Sequence, residues 1–210
     1  MSAIDLAGDL GLVALCLLSL NILIGLLISV RYNPRRDWPR RRLDLFRYHN
    51  WTGYTGLALT VAHPLPLAWA ARHRFRWGQI AWPIHAPSQP LVNTLGAIAL
   101  YLVVIVAVTS YYRLLLGRRA WKWVHYGSYL AAALFFVHGI AADPALSGAP
   151  LDPLDGEKVV IEICALVVAA ASFARWRYAR RHPRARRLAS AVPLPYVPGF
   201  ADEAPSPPPR

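Results

Sequence analysis

Residues Arg40–Ala68 read RRRLDLFRYHNWTGYTGLALTVAHPLPLA, and residues Arg118–Asp143 read RRAWKWVHYGSYLAAALFFVHGIAAD. In both, a basic cluster leads into a run free of Asp, Glu, Lys and Arg. The runs are Trp51–Ala71 and Trp123–Ala142, 21 and 20 residues long. Two histidines bracket each run: His49 and His63 in the first, His125 and His138 in the second. An α-helix needs about 20 predominantly apolar residues to cross a bilayer core of roughly 30 Å. Both stretches therefore read as membrane-crossing helices with an imidazole toward each end.

Two further runs, Leu10–Val30 and Leu91–Tyr112, are 21 and 22 residues long and equally free of charge. A fifth, Val159–Ala174, is shorter and carries Glu162. With 56% hydrophobic and 16% charged residues in 210, the chain reads as an all-α membrane protein. The expected architecture is a bundle of about five transmembrane helices. A soluble enzyme and a disordered chain are excluded.

The formal net charge is +12. In a soluble domain such an excess would suggest a nucleic-acid partner. Here the basic residues sit between apolar runs, so membrane topology explains them and no nucleic-acid partner is expected. Seven Arg lie in Arg31–Arg47, four basic residues in Arg113–Lys122, and eight Arg from Arg175 to the C-terminus. The opposite side receives only Arg72, Arg74, Arg76 and Lys158, together with most of the acids. Cytoplasmic loops carry the Lys/Arg excess, which places the N-terminus outside and the C-terminus in the cytoplasm. Trp and Tyr near segment ends, such as Tyr32, Trp38, Trp77, Trp82, Trp121 and Trp176, fit an interfacial aromatic belt.

Residues 1–9 are then an external N-terminus. They contain Asp5 and Asp9 and no basic n-region, so Leu10–Val30 reads as an uncleaved anchor rather than a signal peptide. Residues 10–176 form one membrane domain. Residues 177–210 form a basic, then Pro-rich cytoplasmic tail with too few apolar residues to fold alone. The connection Arg72–Pro90 is expected to lie along the membrane surface. Cys16 and Cys164 read as inert buried thiols, and no C-x-x-C-H exists for covalent haem attachment.

The four bracketing histidines carry the chemistry. Imidazole is costly in hydrocarbon unless paired, solvated or liganded, so an intramembrane His points to function. The second and fourth segments both run from cytoplasm to exterior. His49 and His125 fall near one face of the bilayer, and His63 and His138 toward the other. At 1.5 Å per residue the two spacings are about 21 Å and about 20 Å, which gives two levels with one imidazole from each helix. The levels are too far apart for one binuclear site, and one pair is too few ligands for tetrahedral zinc. A haem needs only two axial ligands from the protein, and a His/Met pair is unavailable because the only Met is Met1. The reading is two b-type haems per chain, each held by two His. A 14-residue step returns to within roughly 40° of the same face, but a 13-residue step leaves His138 roughly 140° from His125 on a straight helix. The fourth helix is expected to be overwound, tilted or bent, or its haems approached obliquely. Pro64 directly after His63 is expected to kink the second helix.

Arg40–Ala68 and Arg118–Asp143 together resemble the ferric reductase-like transmembrane domain, a superfamily that includes ferric-chelate reductases, NADPH oxidases and the haem-binding subunit of a methionine sulfoxide reductase system. The resemblance covers about Arg40 to Arg175. It implies haem ligation by His49, His63, His125 and His138, and transmembrane electron transfer. Relatives with enzymatic activity often carry a C-terminal flavin and nicotinamide module. No GxGxxG fingerprint occurs in this sequence, so the expected donor is a separate cytoplasmic flavin or NAD(P)H reductase.

Arg47 and Lys122 are the candidates for contact with propionates at the cytoplasmic level, each within one turn of a ligand. Arg72 and Arg74 lie beyond His63, where a positive charge is disfavoured. They are candidates for holding outer propionates or meeting an anionic acceptor. The expected partners are membrane lipid and an external electron acceptor, and the expected location is a bacterial inner membrane. Two other readings stay open: a haem-free scaffold or transporter subunit using His for metal or proton passage, and a quinone-linked cytochrome b anchor. The first would want more polar residues between the His levels than Thr52, Thr55, Thr60 and Ser128. The second needs a quinone pocket that the sequence does not reveal.

Overall fold

The structure is a computed structural model that describes residues 2–30, 44–71, 74–143 and 154–181. The chain separates into two compact units, Met1–Trp176 and Arg177–Arg210; the site lies in the first. Among the described residues every regular element is helical.

Helix α1 spans Ala3–Ser29. It starts at a capping box: the Ser2 hydroxyl accepts from Asp5 N, and the Asp5 carboxylate accepts from Ser2 N. This reciprocal pairing satisfies donors that a helix N-terminus leaves open. Helix α2 spans Leu45–Ala62, with the Asp44 carboxylate capping Arg47 N. A short 3-10 turn, Leu65–Trp69, follows. Then come α3 (Trp77–Ala81), a second 3-10 turn (Pro83–His85), α4 (Pro90–Tyr111), α5 (Arg113–Leu116), α6 (Arg118–Ala141) and α7 (Gly156–Arg181).

Four of these, α1, α4, α6 and α7, are long and apolar enough to cross a membrane. Large apolar side chains such as Leu91, Ile105 and Leu166 are exposed along them, as expected where the surrounding solvent is lipid. Helix α2 has 18 residues, about 27 Å of helix. With Tyr48, His49, Asn50 and Thr52 it is not among the helices apolar enough to cross. The expected run Trp51–Ala71 is not one continuous helix. Pro64 ends α2 rather than kinking it: His63 occupies the C-cap, and the chain turns into the 3-10 segment. Proline cannot donate to the preceding turn, and its ring clashes with the carbonyl four residues back.

Two antiparallel pairs organise the site. Helix α1 lies along α2, and α4 lies along α6. The turn between α5 and α6 passes through Gly117 at φ 73°, a left-handed conformation that glycine adopts without a Cβ clash. At the other end of the α4–α6 pair, Gln89 and Asp143 clasp each other. Gln89 Nε2 donates to Asp143 O at 3.0 Å, and Asp143 N donates to Gln89 Oε1 at 2.9 Å. These two hydrogen bonds offset the strain of Gln89, the one described non-glycine residue at positive φ. Leu15, Ala132, Phe136, Ile161 and Val168 form a core shared by α1, α6 and α7.

The segment after His63 does more than lie on the surface. Ala68, Ala70 and Phe75 are buried, Phe75 N donates to Leu67 O at 3.1 Å, and Phe75, Gln79, Ile80 and Pro83 line the cavity that holds His63.

Candidate metal centre

Each imidazole is placed by a neighbouring helix. His63 Nδ1 lies 2.7 Å from Ala7 O, and His49 Nδ1 lies 3.1 Å from Asn21 O, both acceptors on α1. His138 Nδ1 lies 2.8 Å from Val92 O on α4. His125 Nδ1 lies 3.3 Å from the Ser110 hydroxyl, also on α4, which itself accepts from Trp121 Nε1 at 3.2 Å. A carbonyl can only accept, so in His49, His63 and His138 the proton sits on Nδ1. The lone pair is left on Nε2 for a ligand bond. Asn21 ties the first level twice over. Its amide also donates to the His49 carbonyl and to Thr52 Oγ1.

The four imidazoles meet in two pairs. The ring centres of His49 and His125 are 6.3 Å apart with planes at 66°. Those of His63 and His138 are 6.2 Å apart at 72°. These are the two levels expected from spacing. Helix α6 is continuous through both of its histidines, so the 13-residue step is accommodated without a break in the helix.

The separation is informative. A ring nitrogen lies about 1.1 Å from the centre of a five-membered ring with bonds near 1.33 Å. Even with nitrogens aimed at each other, two rings this far apart leave about 4 Å between them, too long for a hydrogen bond. A metal–imidazole bond is about 2.0 Å, so two imidazoles on opposite sides of one ion would stand about 6.2 Å apart. Both pairs match that figure.

Small residues keep the rings in place. A Cβ built on Gly11 would sit 2.8 Å from His63 Nδ1, on Gly96 2.9 Å from His138 Cε1, and on Gly25 3.1 Å from His49 Cε1. Each level opens into a cavity. The first, about 100 Å³, is lined by Asn21, Gly53, Ser110 and Ser128 with His49 and His125. The second, about 210 Å³, is lined by Gly11, Leu15, Gly96 and Lys158 with His63 and His138. Among the described residues no three His, Cys, Asp or Glu side chains converge. Each level therefore presents two imidazoles, a set that would suit a metal bringing further donors of its own.

The family model described as a ferric reductase like transmembrane component matches residues 10–136. The chain belongs to that family. Three of the four histidines fall within the matched ferric reductase-like region, and His138 lies two residues past its end. A search of curated proteins and one of solved structures found no match.

The other sequence-selected residues are placed differently. Arg47 is exposed at the start of α2, and Lys122 is half-buried in the first turns of α6; neither lines the first cavity. Arg74 Nε donates to Ala68 O at 2.7 Å, which braces the segment after α2. Arg72 lies outside the described residues. Sequence reasoning missed the second helix of each pair. Ala7 and Asn21 are 14 residues apart, as are Gly11 and Gly25, the same step that separates His49 from His63. That echo was the available signal. Ser110, Gly96 and Lys158 gave no comparable one.

Proposed function

We propose that this ferric reductase-like chain is the haem-bearing membrane component of an electron-transfer system. His49 and His125 would hold one b-type haem and His63 and His138 a second. When bound, each haem supplies a one-electron iron couple. The observation that carries the reading is the paired imidazoles at 6.3 Å and 6.2 Å, with each Nδ1 engaged by a neighbouring helix.

The chain's own residues bind and orient. The α1 and α4 acceptors fix three imidazole tautomers outright and raise ligand basicity, as partners of metal-bound His do. The glycines leave room for the rings, and the apolar helices keep water away. Arg47 and Lys122 at the first level, and Arg72 and Arg74 beyond the second, are proposed to meet the anionic edges of the bound groups or an anionic acceptor.

In this reading the helices make five crossings, with α2 running back beside α1, the N-terminus outside and the C-terminus in the cytoplasm. The proposed donor is a separate cytoplasmic flavin or NAD(P)H reductase, the proposed acceptor is external, and the proposed location is a bacterial inner membrane. A pyridine haemochrome assay on detergent-purified protein tests the reading. The expected value is about two haem b per chain, falling to about one or fewer in His63→Ala or His125→Ala. No haem after expression with ample haem supply would remove the reading and bring metal or proton passage forward.

A further inference from the structure

Only two polar side chains among the described residues are buried below a tenth of their surface, Ser19 and Lys158. Ser19 is satisfied, since its hydroxyl donates to Leu15 O at 2.8 Å. Lys158 is 6% exposed and has no hydrogen bond or ion pair with any described residue. Its stem is covered by packing and the residue lines the second cavity; an ammonium in so apolar a setting is costly unless an anion or acceptor meets it. Its position raises that cost. It lies in the first turn of α7, where the open N–H groups of the helix already carry positive partial charge.

Lys158 lines the second cavity together with His63 and His138. The other neutral polar side chains of that lining are committed elsewhere. Thr60 donates to Gly56 O, Gln79 bridges Arg76 N and His85 O, and Asn93 donates to Ser88 O. Glu157 and Asp143 also reach the lining, but neither pairs with Lys158. The ammonium is thus an uncommitted donor on a cavity walled mostly by small and apolar residues. Its natural counterpart is a carboxylate carried in by whatever the two imidazoles hold.

We propose that Lys158 binds a propionate carboxylate of the haem at the His63–His138 level. The proposal rests on the haem reading above. It assigns to α7 a role in the site that neither spacing nor charge pattern suggested, and it adds α7 to the elements that can meet the outer anionic edge.

The test uses the full chain in the His125→Ala background, where only the second level loads, titrated with haem and with haem dimethyl ester. The ester has the same iron and macrocycle but no carboxylates. With Lys158 in place, haem is expected to bind about tenfold or more tightly than the ester, the range for hydrogen bonds to charged groups. In Lys158→Met that preference should vanish, while Lys158→Arg should retain most of it. Equal binding of haem and ester with Lys158 intact would overturn the proposal without recourse to any Lys158 variant, as would an unchanged preference in Lys158→Met. Failure of the unaltered chain to take up haem at all would instead strike the haem reading.

Discussion

At the residue scale the four imidazoles are not equivalent. His49, His63 and His138 each meet a backbone carbonyl through Nδ1, at 3.1, 2.7 and 2.8 Å. His125 alone depends on a side chain, the Ser110 hydroxyl, at a longer 3.3 Å. That oxygen already takes the Trp121 N–H, and the Trp121 ring lies 5.0 Å from the imidazole, tilted by 33°. For His125 to present Nε2 to a ligand, Nδ1 must carry the proton and the hydroxyl must accept it. Ser110→Ala removes that acceptor and strands two N–H groups. Loss of such a partner typically costs 10–100-fold in metal affinity. The expected result is that the first level weakens by about that factor in a haem titration, the second level holds, and Ser110→Thr stays near the unaltered protein. Equal weakening of both levels would contradict the assignment. The same contrast explains what the sequence could and could not reveal. The histidines were legible because an imidazole inside an apolar run is conspicuous. Their partners at Ala7, Asn21 and Val92 are main-chain atoms, which every residue possesses, so nothing in the letters marks them. Lys158 was illegible for the opposite reason. A lysine beside Glu157 and Asp155 reads as solvated surface, and only the packing of α7 against the cavity shows it buried.

At the element scale, helices α1 and α4, which carry none of the four histidines, decide whether the imidazoles can stand where they do. Helix α1 meets α2 through glycines at the histidine levels, and α4 meets α6 in the same way at Gly96. The Cβ contacts of 2.8 and 2.9 Å at Gly11 and Gly96 are closer than an imidazole atom can tolerate, whereas Gly8, one turn earlier on α1, has nothing within 4 Å. Overpacking of this kind costs about 1–3 kcal/mol, and here the atoms that must yield belong to the imidazoles themselves. Gly11→Ala and Gly96→Ala are therefore expected to lower haem content at the second level and spare the first. Gly78→Ala on α3, which has nothing within 4 Å and does not line that cavity, should leave content unchanged. Gly25→Ala, with its longer 3.1 Å contact to His49, should affect the first level more mildly. Haem per chain and the melting temperature of each purified variant would separate these outcomes; loss of haem in Gly78→Ala to the same extent would show a general packing defect. Helix ends were only partly legible. Pro64 announced a disturbance after His63, but a proline can either kink or terminate a helix. The 3-10 turn and the burial of Phe75 that settle the matter depend on contacts distant in sequence.

At the scale of the whole molecule, the question is whether α2 crosses. By length and hydropathy four helices qualify and α2 does not, so the apolar runs alone leave the count at four or five. Charge discriminates between the two. With five crossings, nineteen of the 23 basic residues share one side and Arg72, Arg74, Arg76 and Lys158 the other. If α2 stayed on one side, Arg31–Arg47 would join Arg72–Arg76 and Lys158, and the Arg113–Lys122 connection would join the tail. The division would become eleven against twelve, with no excess for the positive-inside rule to act on. The hydrogen bonds point the same way. Ala7 meets His63 and Asn21 meets His49, so α2 retraces the depth that α1 covers. His49, Thr52 and Thr60 on α2 each meet a backbone carbonyl, as an intramembrane segment would require. The prediction is made in a chain with Cys16 and Cys164 replaced by Ala, using a membrane-impermeant maleimide. Gly78→Cys on α3 should label in intact cells, and Arg119→Cys at the start of α6 only after the membrane is opened. Gly78 precedes α4 and Arg119 follows it, so the two differ in side whether α2 crosses or not. A third position is therefore needed: a Cys in Arg35–Arg42 should behave like Arg119→Cys if α2 crosses and like Gly78→Cys if it does not. The second outcome would put the Arg-rich segment on the outer face. The two histidines of α2 could then no longer lie at opposite depths, and the two-level site would fall with the topology.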